Sequence, residues 1–176
     1  MLFSTLILNK IIAQKIEYVS STKAEISHFA SDNIGNFFIV DYNGEVSKYN
    51  NMGIKQQSYK SSLNGEISSI SAHIPLEVFI FYKNNNRFVV LDNTMSEKTS
   101  VNFESLGLTQ VTLACPSYDK GIWVYDSFDL QLKKIDNNFN IVHKSGNIPA
   151  LLGFEINPVS LLESDDKIYL NDPEYG

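Results

Sequence analysis

Four short apolar segments recur along the chain at nearly constant spacing, and each ends in an acidic or aromatic residue. Their last residues, at positions 41, 82, 126 and 172, are 41, 44 and 46 residues apart. The segments are Phe37–Asp41, Val78–Tyr82, Ile122–Asp126 and Ile168–Asp172. A repeat of this length, carried by short β-rich segments, is typical of β-propeller blades. The spacing therefore predicts one such blade for each segment.

Two further features repeat with the same spacing. An Asn or Asp follows an apolar residue at positions 50, 92 and 136, which are 42 and 44 residues apart. These side chains bond the local backbone, which makes them typical of turns. Each repeat also opens with a Leu-Gly connection, at Leu63–Gly65, Leu106–Gly107 and Leu152–Gly153, whose glycines are 42 and 46 residues apart.

Within each repeat the pattern predicts four strands, and Asn43–Gly44 marks a hairpin turn between the second and third strands of the first unit. The first unit has strands at Ile26–Ser31, Phe37–Tyr42, Glu45–Tyr49 and Lys55–Lys60. The second has Ile67–Ala72, Val78–Lys83, Arg87–Leu91 and Lys98–Phe103. The third has Val111–Cys115, Gly121–Asp126, Gln131–Ile135 and Asn140–Lys144, and the fourth begins with Pro158–Leu162 and Lys167–Asp172.

The second strand of each unit is apolar at successive positions, without the alternation of a half-exposed strand. Such a strand needs cover on both faces, which neighbouring blades provide. No convincing helical periodicity is present. We expect an all-β propeller with about three and a half four-stranded blades, forming an incomplete ring. A β-sandwich is the alternative, since evenly spaced short strands also fit one.

Propellers close rings of about four to eight blades, so 176 residues hold too few blades to close one. We therefore expect residues 15–176 to be part of a longer propeller of about six blades, or a shortened product without a function of its own. Lys15–Ser20 would complete the last blade of the ring. Two chains pairing into a ring is a further alternative, and an open blade edge favours association.

The first fourteen residues form a short apolar stretch ending in Ala13–Gln14, which is typical of a secretory signal peptide. An N-terminal strand or tail is the alternative. The stretch is shorter than the roughly 20 apolar residues that span a bilayer, so no membrane insertion is expected. The formal charge of −6 and the pI near 5.0 argue against a nucleic-acid partner. Cys115 is the single cysteine, and its apolar context predicts a small buried hydrophobic residue.

The segment DNIGNFFIVDYNGEVSKYNNMG, residues 32–53, resembles the repeats of exported Bacteroidota propellers, which are similar to six-bladed domains of the NHL and TolB type. The resemblance extends over about residues 15–176 and rests on the repeat pattern. It implies an exported protein, periplasmic, outer-membrane-associated or secreted, with a binding or scaffolding role.

The sequence contains no recognisable catalytic or metal-binding motif, so we expect no catalytic residue, no metal site and no cofactor. His28, His73 and His143 fall in different parts of their repeats, without the spacing of a zinc site. No serine lies in a nucleophile-elbow motif. Trp123 lies within a predicted second strand, so we expect it in the core.

Propellers commonly bind ligands at the end that carries the loops between second and third strands. This places the candidate ligand contacts at Tyr42, Asn85, Arg87, Phe128 and Asp129. We therefore expect a non-enzymatic module that binds or scaffolds protein or carbohydrate. The alternative is a metal-dependent hydrolase or lactonase of the six-bladed type, for which one tightly held calcium or zinc ion per chain is the distinguishing observation.

Overall fold

The computed structural model describes Ser21, residues 25–61 and residues 65–175, which form four separate antiparallel sheets. The first sheet contains β1 (His28–Ser31), β2 (Phe37–Val40), β3 (Glu45–Tyr49) and β4 (Lys55–Lys60). The second contains β5 (Ser69–Ser71), β6 (Val78–Tyr82), β7 (Arg87–Leu91) and β8 (Glu97–Asn102). The third contains β9 (Val111–Pro116), β10 (Ile122–Asp126), β11 (Gln131–Ile135) and β12 (Ile141–Lys144). The fourth contains β13 (Ser160–Ser164) and β14 (Lys167–Asn171).

The sheets are arranged as propeller blades. Within each sheet the strands pair in chain order. Between sheets the first strands meet, since β1 contacts β5, β5 contacts β9, and β9 contacts β13. The first strand of each sheet therefore lies innermost and the fourth outermost. The chain is a partial β-propeller, as the repeat predicts, and we number the sheets blades 1 to 4.

Blade 2 is covered on both faces. Every residue of β6 is buried, and alternate residues of a strand point to opposite faces. Phe79 and Phe81 join the core between blades 2 and 3, which also contains Phe103 and Val124. Val78, Ile80 and Tyr82 join the core between blades 1 and 2, with Phe38, Val40 and Val46. This double cover explains why the strand has no polar alternation.

The repeated Asn and Asp positions form the turns between third and fourth strands. Asn50, Asp92 and Asp136 each accept the backbone N–H groups of the residues two and four positions later, at 2.8–3.0 Å. The carboxylate or amide oxygen thus takes the place of a backbone acceptor inside the turn. The sequence interpretation of this register is confirmed.

Two of the three Leu-Gly connections, at Gly107 and Gly153, are helix ends, which the sequence interpretation missed. A 3-10 helix covers Phe103–Leu106, and a short α-helix, α1, covers Ile148–Leu152. Gly107 and Gly153 follow them with φ of 76° and 80°, the left-handed conformation that suits glycine at a helix C-terminus. Four or five residues are too few to show helical periodicity, so this pattern could not reveal them.

Three predictions concern residues outside the described part of the chain: the leader at residues 1–14, the strand at Lys15–Ser20, and the connection at Leu63. Among the described residues, no helix has the length and apolar character needed to cross a bilayer.

Candidate functional site

The chain direction places one set of loops at the same end of every blade. The loops between second and third strands, called B–C loops here, lie beside the connections that lead from one blade to the next. We call this the loop end of the molecule. All five predicted contact residues belong to B–C loops or to the strand starts next to them.

Tyr42 and Phe128 occupy similar positions in the B–C loops of blades 1 and 3, and the side chain of each is 75% exposed. In both loops an aspartate closes the turn. Asp41 accepts the N–H groups of Asn43 and Glu45, and Asp126 accepts the N–H of Phe128 at 3.1 Å. These hydrogen bonds fix the backbone of each loop, and both aromatic rings are exposed to solvent.

The B–C loop of blade 2 has a different form because Tyr82 stands where the other blades have aspartate. A 3-10 helix covers Lys83–Asn85, and Asn86 follows in the left-handed conformation with φ of 49°. The Asn85 side chain packs against Gly65, where an added Cβ would lie 1.9 Å from its Oδ1 atom. Arg87 forms an ion pair with Glu97 and donates to Ser100 Oγ, so its charge is directed along the outer strands of the blade.

Asp129 belongs to a buried ionic cluster in blade 3. The Lys133 ammonium lies 2.7 Å from Asp126 Oδ2 and 2.7 Å from Asp129 Oδ2. Burial alone would lower the pKa of Lys133, but hydrogen bonds to the two carboxylates raise it. The lysine therefore remains charged and ties the B–C loop to β11.

The hydrogen bonds and ion pairs of the described residues join none of the five predicted contact residues to another. They are distributed over three loops at one end of the molecule. Their role in ligand contact stays a prediction.

The loop end also contains a cavity of 430 Å³, which we call the loop-end cavity. Blades 2, 3 and 4 all contribute to it. Its polar lining consists of Ser68, Lys83, Thr112, Tyr125, Ser127 and Asn157. Its apolar lining consists of Leu113, Leu130, Ile156, Pro158 and Val159. Small-molecule sites usually combine apolar surface with convergent polar groups, and this lining contains both.

Tyr125 is the most buried polar residue of this lining. It is 2% exposed, and its hydroxyl has no hydrogen-bond partner among the described residues. Burial raises the pKa of this phenol, and the carboxylates of Glu155 and Asp129 raise it further. The hydroxyl is therefore neutral, and it is enclosed by the protein without a hydrogen-bond partner among the described residues.

Lys83 and Ser68 line the cavity from blade 2. The Lys83 backbone N–H donates to Ser68 Oγ at 3.0 Å, which leaves the serine proton free for another acceptor. The Lys83 ammonium forms no ion pair with a described residue. Lys83 and Ser68 are thus the polar residues that blade 2 contributes to the lining of the cavity.

Trp123 differs from the expectation that it lies in the core, because it is half-buried and faces blade 4. Its indole Nε1–H donates to Glu163 Oε1 at 3.2 Å, and the backbone N–H of Tyr118 donates to Glu163 Oε2 at 2.8 Å. Lys134 lies 5.2 Å from the centre of the indole ring. Trp123 therefore acts as a polar link between blades 3 and 4.

The sequence interpretation did not identify the cavity residues. Lys83 ends a predicted strand and Tyr125 lies within another, and Ser68 and Thr112 lie in ordinary strand sequence. Their grouping depends on how blades pack. The one available signal was the B–C loop of blade 2, where the aspartate of the other repeats is replaced.

The described residues contain no group of three or more His, Cys, Asp or Glu side chains arranged to hold a metal ion. No protein-family model and no curated protein matches the chain.

Solved structures with this fold are numerous, and several cover most of the chain. A protein of Bacteroides fragilis described as exported matches with a TM-score of 0.60 and 12% identity, over 90% of this chain and 48% of that one. A streptogramin B lyase matches with a TM-score of 0.59 and 12% identity, over 83% of this chain and 47% of that one. The Pan2 WD40 domain of Neurospora crassa matches with a TM-score of 0.57 and 13% identity, over 86% of this chain and 47% of that one.

These likenesses establish the propeller fold. The matched part of this chain corresponds to about half the length of each of these structures.

Proposed function

We propose that the chain is a propeller module that binds a protein or carbohydrate ligand at its loop end. The observation that carries this proposal is the loop-end cavity of 430 Å³, lined from three blades and located at the end that also exposes Tyr42 and Phe128. The volume lies within the range of about 300–1,000 Å³ typical of ligand sites. Exposed aromatic side chains at the same end of the molecule offer contact area at a small cost in side-chain entropy.

The test is ligand screening on a glycan array and a peptide array, followed by calorimetry with Tyr42→Ala and Phe128→Ala variants. We expect each substitution to weaken binding by about fivefold or more, as expected for an aromatic contact worth roughly 1 kcal/mol. Tyr118→Ala is the matched control, because Tyr118 is 56% exposed at the opposite end of the blades. Equal losses for all three variants would contradict the loop end as the binding surface.

We also propose that the protein is exported and that it belongs to the six-bladed NHL or TolB type of propeller. The apolar leader at residues 1–14, the resemblance to exported Bacteroidota propellers, and the fold shared with a Bacteroides protein described as exported all support it. The resemblance implies a complete ring of six blades, as in the NHL and TolB types. Mass spectrometry of the protein from a Bacteroidota host tests export, since cleavage is expected to leave Lys15 as the first residue. A cytoplasmic protein with an intact leader would overturn this part of the proposal.

A further inference from the structure

Large apolar side chains are exposed at the loop end where blade 3 leads into blade 4. We call this surface the α1 patch, because the helix α1 lies at its centre. Its members are 41–75% exposed, and they are Phe128, Leu151, Leu152, Phe154 and Tyr175. Single exposed apolar residues are common, but a contiguous group of them indicates an interaction surface.

Three segments of the chain meet to form the α1 patch. The Ile148 backbone N–H donates to the Leu130 carbonyl at 2.9 Å, which joins α1 to the B–C loop of blade 3. The ring centres of Phe154 and Tyr175 lie 4.5 Å apart, which joins the residues after α1 to the turn that follows β14. The exposed side chains therefore belong to one continuous surface.

The corresponding connection of the preceding blade uses its apolar residues differently. Phe103 begins the 3-10 helix that leads from blade 2 to blade 3, and its ring is fully buried in the core between these blades. In α1 all five residues are apolar, yet only Pro149 is buried. Helices at a protein surface normally direct their apolar residues toward the core. The sequence of α1 thus provides apolar surface that the core does not use.

The position of the α1 patch separates it from the surfaces through which blades pack. The described blades pack face to face, through the apolar cores on either side of blade 2. The connection that contains α1 instead crosses the end of the blades, from β12 to β13. A neighbouring blade would therefore leave the patch accessible to another molecule.

The charges of the patch define the chemistry of that molecule. The three segments, residues 127–130, 147–156 and 172–175, contain aspartate and glutamate but no lysine or arginine. Glu155 and Glu174 are exposed, and neither forms an ion pair with a described residue. Apolar surface on segments whose charged groups are all carboxylates suits a partner that combines apolar side chains with lysine or arginine.

We propose that the α1 patch binds a basic amphipathic segment of a partner protein, with its apolar side chains against α1 and its cationic side chains facing Glu155 and Glu174. A groove of 400 Å³ beside α1, lined in part by Leu130 and Phe154, provides a recess for the apolar side chains. This inference rests on the proposed function and selects protein as the ligand class. Occupation by a glycan or by a second copy of the chain is an alternative outcome of the test.

The experiment is fluorescence anisotropy of the full chain with a short labelled peptide that has leucine on one helical face and lysine on the other. One matched peptide has glutamate in place of lysine, and a second has serine in place of leucine. We expect the leucine–lysine peptide to bind about tenfold or more tightly than either, since apolar burial and complementary charge both contribute. Its affinity is expected to fall with added salt. No binding of this peptide, or equal binding of either matched peptide, would overturn the proposal.

A leucine substitution tests the apolar part of the site. Leu151→Ser is expected to lower the affinity for the leucine–lysine peptide about fivefold or more. Leu76→Ser is the matched control, because Leu76 is also largely exposed but lies between β5 and β6, at the opposite end of the blades. Circular dichroism checks that both variants keep the fold. Equal affinities of the two variants would exclude α1 as the contact.

A charge substitution tests the acidic part. Glu155→Gln combined with Glu174→Gln is expected to lower the affinity about fivefold or more and to reduce its salt dependence. Asp165→Asn combined with Asp166→Asn removes the same charge from the turn between β13 and β14, at the opposite end, and is expected to have little effect. Equal losses in the two double variants would assign peptide binding to the net charge of the chain and contradict a site at α1.

The remaining outcomes separate this inference from the broader proposal. Glycan binding that depends on Leu151 would rule out protein as the ligand class, and self-association that Leu151→Ser abolishes would assign the patch to a second copy. A ligand that depends on Tyr42 but not on Leu151 would refute this inference and leave the loop-end proposal standing. Ligand binding that is unchanged in Tyr42→Ala, Phe128→Ala and Leu151→Ser alike would contradict both.

Discussion

At the scale of the residue, burial decides what each charged or polar group contributes. Lys133 and Asp126 retain 6% and 4% of their side-chain exposure, and their ion pair closes the B–C loop of blade 3. Lys98 and Glu77 also form an ion pair, but the lysine side chain is 56% exposed. Water screens the second pair and hardly reaches the first. We therefore expect the buried ion pair to contribute much more to the free energy of unfolding than the exposed one.

We expect Asp126→Asn to lower the free energy of unfolding by about 1.5–3 kcal/mol, because it removes the more buried of the two carboxylates that bind the Lys133 ammonium. Lys98→Met, the exposed control, is expected to change it by no more than about 1 kcal/mol. Urea unfolding followed by circular dichroism measures both. A similar small change in the two variants would show that the cluster is more hydrated than its burial indicates.

Cys115 confirms the prediction of a buried apolar residue, with 5% exposure. Burial raises the pKa of its thiol from 9.0 to about 12, and the charge of Glu163 adds to the effect. Below the pKa of the unfolded chain the thiol is protonated in both states. Above it, only the unfolded state loses the proton, so stability falls as pH rises from about 9 toward 12.

We expect this thiol to lower the free energy of unfolding by at most about 1.4 kcal/mol for each pH unit above 9. Urea unfolding between neutral pH and about pH 10 measures the slope, and Cys115→Ala is expected to flatten it. An identical pH dependence in Cys115→Ala would assign the slope to other groups, such as the buried tyrosines.

At the scale of the element, each blade depends on its neighbours to cover its apolar faces. The 3-10 helix Phe103–Leu106 illustrates this, since it follows the outermost strand of blade 2 and returns a fully buried ring to the core shared with blade 3. Phe103 contacts Phe81 and Phe88 with ring centres 6.0 and 6.3 Å apart. A connecting segment thus supplies one of the central side chains.

Phe103→Ala is expected to lower the free energy of unfolding by about 3–5 kcal/mol, through lost burial and the cavity left behind. Phe128→Ala removes the same side chain from a position that is 75% exposed, and we expect a change within about 0.5 kcal/mol. Chemical denaturation compares the two directly. Equal effects would mean that the connecting helix does not anchor the blades.

Strand positions were largely predictable from the sequence, and side-chain environments were not. The bounds of β3, β4, β7 and β11 agree with the predicted strands, because apolar runs and turn residues mark them locally. Trp123 was expected in the core, yet its indole N–H finds Glu163, which is 40 residues away in the chain. Lys83 of blade 2 lies near Tyr125 and Thr112 of blade 3 only because the two blades pack together. The residue pattern of one strand does not show which residues of another blade it will contact.

At the scale of the whole molecule, one face of blade 1 and the outer edge of blade 4 are not covered by another described blade. On blade 1 the outward face carries Phe29, Phe37 and Tyr49, whose rings stack in a row, and Phe29 is 57% exposed. On blade 4 the outer strand β14 pairs only with β13 among the described strands, and Tyr169 on it is 49% exposed. Open strand edges and apolar faces favour association.

We expect the chain, expressed as this sequence, to self-associate as its concentration rises, and Tyr169→Lys to weaken that association, since lysine on an edge strand opposes pairing. Phe29→Lys is expected to act in the same direction at the other end of the arc. Tyr118→Lys is the control, and sedimentation equilibrium gives the association constants. Equal behaviour of the three variants would exclude the open blade surfaces as the contact.

The two faces of blade 2 have a consequence for how such a chain changes in length. Alternate side chains of its inner strands point to opposite faces. The sheet therefore packs against a neighbouring blade through an apolar core on each side. A whole added sheet can bury both of its apolar faces against neighbouring sheets, whereas half of a sheet would leave apolar side chains exposed. Genes for molecules built this way are therefore expected to lengthen and shorten by whole sheets, at boundaries near the glycines that end the connecting helices.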